Sequence, residues 1–239
     1  MNIALLGYGK MGHIIENTAR EKGITVKKAY DADSPLAADK AARRELEDVP
    51  VLIDFSAPEA VLDNVKQGAE LGKNIVIGTT GWEKDREDVF DIAEKGDIGL
   101  VYGANFSLGV NLFYRVAAYA GSLMSSFDSY DPYVEESHHR FKKDAPSGTA
   151  LTLVKKLKSA YSGDVPVTSV RAGYIPGTHT VSFDSASDSI YMTHRARSRQ
   201  GFAEGALSAA AWIEHRKGVF EFDTVLDFML KNGKEPDNE

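Results

Sequence analysis

Apolar residues in the first hundred positions fall into short runs separated by amphipathic stretches. Ile3–Leu6, Ile24–Tyr30, Val51–Ser56, Asn74–Ile77 and Ile98–Tyr102 read as strands, several of them apolar enough to be buried on both faces. Between them, Ile14, Ile15 and Ala19 recur at helical spacing, Pro58–Leu71 reads as a helix with proline in its first turn, and a further helix is expected over about 83–95. Strand and helix alternating through short loops predict a doubly wound parallel sheet of the Rossmann type. The pattern then changes. From Leu108 to Ser126, Val110, Phe113, Val116, Ala117 and Ala120 mark one helical face. Strand-like segments follow at Tyr130–Ser137, Val167–Gly173, Thr178–Phe183 and Ser189–His194, interrupted by a helix after Ser147 that carries Leu151, Leu153, Val154 and Leu157. This half predicts a second, α+β domain with an open mixed sheet, where Tyr174, Tyr191 and Met192 serve sheet packing or an oligomer contact. An alanine-rich helix near Phe202–His215 and a short one near Thr224–Leu230 are expected to return to the first domain, and the polar tail Gly233–Glu239 to fray. The expected organisation is therefore a discontinuous dinucleotide-binding domain, 1–106 and 200–239, around a substrate-binding and oligomerisation domain, 107–199.

The balance of 43% hydrophobic and 26% charged residues over 239 positions is that of an ordinary soluble domain protein. A net charge of −7 lacks the basic face of a nucleic-acid binder, so the basic cluster at 138–143 stands out against its background. With no cysteine in the chain, disulfides, thiolate chemistry and Cys-type zinc sites are excluded, and a reducing compartment fits. The N-terminus carries no basic stretch leading a long apolar segment, and no window reaches a membrane span. A cytoplasmic protein with neither membrane nor nucleic-acid partner is expected.

Gly7-Tyr8-Gly9-Lys10-Met11-Gly12 follows the first strand directly and opens a helix. In that context the spacing fits a dinucleotide loop, with one glycine for the turn, one for approach of the backbone to a pyrophosphate and one for helix–strand packing. Asp31, nineteen residues after Gly12, ends the second strand where a carboxylate accepts from ribose hydroxyls. No arginine follows it, which favours NADH over NADPH, although Lys10 lies close to the expected phosphates. Ligands of such sheets bind beyond the carboxyl ends of the strands, so Gly78, Thr79 and Thr80 of one loop and Gly103, Ala104, Asn105 and Phe106 of another are further cofactor candidates.

The densest chemistry lies in Glu136-Ser137-His138-His139-Arg140-Phe141-Lys142-Lys143-Asp144-Ala145-Pro146-Ser147-Gly148-Thr149-Ala150. Two histidines and a cationic stretch lead into a helix start, whose free N–H groups and dipole favour a small, multiply anionic ligand. His138 adds a group that exchanges protons near neutral pH. His138 and His139 are adjacent in a strand and so point to opposite faces, poor geometry for one metal ion, and no metal is expected.

This fifteen-residue run resembles the signature of the dihydrodipicolinate reductase family, enzymes of diaminopimelate and lysine synthesis. The glycine loop, Gly78–Gly81, Asn105–Asn111 and Phe202–Ala206 match in the same order, so the similarity spans nearly the whole chain. Two features depart from the family pattern: the segment between Asp31 and Val51 is short, and the glycine loop lacks one residue. The resemblance implies reduction of a cyclic imine dicarboxylate by NAD(P)H, with His138 and Lys142 as acid–base groups. It implies also that His139, Gly148 and Thr149 bind the substrate, that Lys143 is solvated, and that the enzyme is a homotetramer built through the second domain's sheet. Arg199 is a further neighbour of nicotinamide or substrate to consider, and hinges are expected near Phe106–Ser107 and Ser198–Arg199. Two other readings stay open on the residues alone: another imine or aldehyde reductase, and a non-catalytic NADH sensor.

Overall fold

The computed structural model describes residues Met1–Lys231; the tail expected to fray lies outside them. The chain divides into two compact units, one formed by Met1–Ser107 with the described residues from Arg199 onward, the other by Leu108–Ser198. Ser107 thus belongs to the first unit rather than the second, and Arg199 opens the returning segment.

In the first unit the order is β1 (Asn2–Leu6), α1 (Lys10–Glu21), β2 (Thr25–Tyr30), α2 (Lys40–Glu45), β3 (Val51–Asp54), α3 (Val61–Glu70), β4 (Asn74–Ile77), α4 (Arg86–Lys95) and β5 (Gly99–Tyr102). Single 3-10 turns, Pro58–Ala60 and Glu83–Asp85, lead into α3 and α4. The six-stranded sheet is parallel throughout, in the order β10-β5-β4-β3-β1-β2. Its last member, β10 (Gly218–Glu221), comes from the returning segment, between α7 (Gln200–Ile213) and α8 (Phe222–Lys231). Neither α2 nor β10 is legible in the apolar pattern. Every residue of β3 and β4 is buried, as expected for strands covered on both faces. Leu52, Ile75 and Leu100 pack under Val61, Val65 and Val89 on one side. On the other, α7 lies against β3, β4 and α1, and its Ala203, Ala206, Ala209 and Ala210 are fully buried. Small side chains let that helix approach the sheet closely.

The second unit runs α5 (Leu108–Met124), β6 (Asp131–His138), α6 (Gly148–Lys158), β7 (Val167–Arg171), β8 (Thr178–Asp184) and β9 (Ser189–Arg195). Its sheet has the order β7-β6-β8-β9, with β7 parallel to β6 and the other pairs antiparallel. Val110, Tyr114 and Ala117 of α5 and Ala150, Leu153 and Leu157 of α6 cover Val134, Val181 and Phe183 on one face. Alternation sends Tyr133, Glu135, Thr180, Tyr191 and Thr193 to the other face. Met192 packs on the core, and Tyr191 is 59% exposed. Tyr174 is not a sheet residue; it lies in the β7–β8 loop, its ring 6.0 Å from that of Phe141.

Candidate active site

The glycine loop joins β1 to α1. Gly7 has φ +91°, and a Cβ there would stand 2.4 Å from the Phe55 carbonyl oxygen, so the turn admits no side chain. Gly9 differs, because a Cβ on it would meet no protein atom within 4 Å. Gly9 is also the N-cap of α1, with no side-chain cap and no acidic residue in the first turn. The helix start is left open to an anion, and the loop fits a pyrophosphate. Lys10 begins α1 exposed, and Met11 is half-buried. The hydroxyl of Tyr8 donates to Glu16. Asp31 is exposed just past β2. Its Oδ1 accepts from the N–H of Asp33 (3.0 Å) and Ser34 (2.9 Å), which fixes the carboxylate at the strand end.

Beneath the other loops lies a buried carboxylate to which the apolar pattern gave no role. Asp54 ends β3 with 0% exposure. Its Oδ1 accepts from Ser56 N (2.9 Å), Ser56 Oγ (2.7 Å) and Thr79 Oγ1 (2.8 Å), and its Oδ2 from Asn64 Nδ2 (2.8 Å). The hydroxyl of Thr79 is therefore committed to the fold, while Gly78 is half-buried and Thr80 exposed. In the next loop Ala104 is exposed and Gly103 half-buried, and Asn105 Oδ1 accepts from Ser107 N at 2.9 Å. The Phe106 ring is 1% exposed and packs on Phe222 at 4.5 Å, so its side chain belongs to the core.

In the second unit, Glu136 and His138 share the covered face of β6, two residues apart. Glu136 hydrogen-bonds His138 Nδ1. Its Oε1 also accepts from Arg171 Nη2 (2.6 Å) and Ser147 N (3.2 Å), and its Oε2 from Arg171 Nη1 (2.9 Å). Burial pushes the Glu136 carboxyl up, but the Arg171 guanidinium and His138 outweigh it and hold the group at about 2. His138 is itself lowered, by burial first, against the raising effect of Glu136. Lys142 is paired with Asp144 at 2.7 Å, and its charge also depresses His138. His139, just past the end of β6, is half-buried with a buried Nδ1.

Ser147 caps α6, accepting from Ala150 N at 3.2 Å, and its Oγ lies 3.1 Å from His179 Nε2. Burial, with the neighbouring His138, pushes His179 down to about 4, so it is neutral near pH 7 and can accept a hydrogen bond from the Ser147 hydroxyl. Gly148 is exposed, Thr149 half-buried, and the first turn of α6 holds no acid. Arg171 Nη2 also donates to the Asp144 carbonyl (2.5 Å), tying β7 to the loop that carries Lys142. His138, Lys142, Gly148 and Thr149 are thus gathered on one loop and its flanks. Lys143 is exposed. Glu136, His138 and His179 each offer a donor atom within 4.8 Å of the others. Both Glu136 oxygens are nevertheless taken by a fixed guanidinium that would repel a divalent cation, so this donor set does not fit a metal. Sequence reasoning missed Glu136, Arg171 and His179. The i, i+2 relation of Glu136 to His138 was a usable signal; the other two arrive only through strand register.

Comparison with known proteins fits this arrangement. Residues 1–106 match the family described as dihydrodipicolinate reductase, N-terminus, and residues 109–226 its C-terminus counterpart. A 4-hydroxy-tetrahydrodipicolinate reductase of Christiangramia forsetii is 37% identical, covering 97% of this chain and all of the relative. One of Archaeoglobus fulgidus is 34% identical, over 95% of this chain and all of the relative. Among solved structures, a dipicolinate-bound dihydrodipicolinate reductase from Paenisporosarcina sp. TG-14 superposes with a TM-score of 0.76 at 20% identity, over 94% of this chain and 99% of that one, and so shares the fold. The chain belongs to the dihydrodipicolinate reductase family, NAD(P)H-dependent oxidoreductases of lysine and diaminopimelate biosynthesis.

Proposed function

We propose that the chain reduces 4-hydroxy-tetrahydrodipicolinate, whose 4-hydroxyl leaves as water before or during the reduction, or the dihydrodipicolinate formed by that loss, to tetrahydrodipicolinate, with NADH the favoured coenzyme. The observation that carries the site assignment is a carboxylate-backed histidine, His138, on the same loop as a lysine and an acid-free helix start. Gly7–Gly12, Asp31 and the loops at Gly78–Thr80 and Gly103–Phe106 would hold the coenzyme, which when bound would supply a hydride to C4 of the conjugated ring. Negative charge then develops at C3 and the ring nitrogen. Protonated His138 and Lys142 stabilise that charge and deliver one proton to C3, completing reduction of the carbon–carbon double bond. The N–H groups of Gly148 and Thr149, with His139, hold the substrate carboxylates, each charge-assisted bond being worth about 1.5–3 kcal/mol. The preference for NADH rests on the Asp31 carboxylate, which repels a 2′-phosphate.

No helix among the described residues is long and apolar enough to cross a membrane. With the cysteine-free composition this supports a cytoplasmic enzyme with neither membrane nor nucleic-acid partner. The uncovered face of the second unit's sheet, with Tyr191 exposed on it, supports association of copies into a homotetramer. Oxidation of each coenzyme, followed at the reduced-nicotinamide absorbance band with enzymatically generated precursor and with simple imines, tests the activity. Turnover of the dicarboxylate alone is expected, and turnover of simple imines alone would overturn the reading. His138→Gln is expected to abolish turnover and spare NADH binding.

A further inference from the structure

We infer that Glu136 is the positioning residue for His138, fixing its Nδ1 proton and leaving Nε2 as the nitrogen that meets substrate. This rests on the proposed role of His138 and goes beyond it. Three features converge. First, the carboxylate cannot turn away, because Arg171 grips both of its oxygens and the Ser147 N–H holds one of them. Second, it lies in the plane of strand β6 two residues before His138, on the same face, so a single backbone segment sets the geometry of the pair. Third, the opposite edge of the ring is kept clear. Gly177, at φ +150°, passes so close that a Cβ on it would stand 3.1 Å from His138 Nε2. No hydrogen bond to Nε2 is formed by the described residues. A histidine with one nitrogen locked to a carboxylate and the other left open has a defined tautomer and a defined direction for proton delivery.

The charged and titratable groups facing His138 are Glu136 on its own strand, Arg171 on β7, His179 on β8, and Lys142 with its partner Asp144 on the following loop. All the cations among them oppose the imidazolium; Glu136 is the anion in direct contact that favours it. Removing its charge while keeping its shape, with Glu136→Gln, should therefore make His138 less basic. The limb of kcat/KM that falls with rising pH, as protonated His138 is lost, is expected to move to lower pH by about one unit. At neutral pH kcat should drop roughly tenfold or more, with the KM for NADH unchanged. A purely structural role would lower the active fraction and leave the pH profile in place; that outcome overturns the inference.

A second measurement needs no variant and no turnover. In protein labelled with 15N-histidine and assigned with His138→Gln, the neutral imidazole of His138 is expected to carry its proton on Nδ1. A proton on Nε2 instead would overturn the inference. Should the dicarboxylate not be reduced at all, the reductase reading fails, while the tautomer still reports on Glu136.

Discussion

Replacing Asp54 with alanine tests the idea that one buried carboxylate ties the coenzyme loop at Gly78–Thr80 to the turn after β3 and to α3. Four donors converge on it: the N–H and hydroxyl of Ser56, the hydroxyl of Thr79 and the amide of Asn64. The two Ser56 groups are half-exposed and can turn to water. Thr79 and Asn64 are buried, at 7% and 9% exposure, and each retains only a longer bond, Asn64 to Ser56 Oγ at 3.2 Å and Thr79 to the backbone carbonyl of residue 54 at 3.5 Å. Each buried donor left without its acceptor costs about 1–3 kcal/mol, giving roughly 2–6 kcal/mol together. For a protein of this size that lowers the melting midpoint by about 5–15 °C. Thr79→Val is the graded control. It removes one bond and orphans nothing, because the carboxylate keeps three partners, so a loss of only about 1–2 kcal/mol is expected. Calorimetric melts of the two variants give the comparison, and steady-state kinetics should show a KM for NADH raised several-fold with the KM for the dicarboxylate unchanged. A midpoint for Asp54→Ala within 1 °C of the parent would refute the reasoning.

Three further outcomes are expected. Glu136 is held at about 2 in the folded chain against an ordinary 4.5, so its contribution of about 3 kcal/mol is complete above pH 4.5 and is lost as pH falls toward 2. Urea midpoints measured across that window should fall steeply for the parent and less so for Glu136→Gln; parallel curves would count against it. Asp31→Asn keeps an oxygen for the Asp33 and Ser34 N–H groups and drops the charge, so the NADPH/NADH ratio of kcat/KM should rise about tenfold or more. An unchanged ratio would remove Asp31 from coenzyme choice. Ser147→Ala deletes the cap of α6 and the partner of His179 Nε2, at a cost of about 1–2 kcal/mol by chemical denaturation.

What the chain revealed before folding depended on burial on both sides. Val51–Asp54 and Asn74–Ile77 stand out as strands because every side chain in them is enclosed. The short β10 hides its nature, since Val219 and Phe220 are half-buried and framed by two helices. In α2 a single side chain, Ala42, is buried, so no helical period emerges from its six residues. The site divides in the same way. His138, Lys142, Gly148 and Thr149 are neighbours along the chain and could be read together. Arg171 and His179 reach Glu136 through strand pairing, His138 opposite Arg171 and Glu136 opposite His179, which no spacing rule reports. The packing of the Phe106 ring on Phe222, from the far end of the chain, was likewise invisible to its motif.

The β5–β10 pairing has a consequence for biosynthesis. A growing polypeptide completes β5 more than a hundred residues before Gly218–Glu221 leaves the ribosome. Throughout that interval β5 presents a row of unpaired amides and carbonyls, flanked by Leu100 and Val101, to any extended segment nearby. The middle unit, whose strands pair only among themselves, can mature while its host waits. Premature termination after Ser198 but before Gly218 would therefore release a chain with one finished module and one permanently sticky border, a substrate for chaperones and proteases rather than a weaker enzyme.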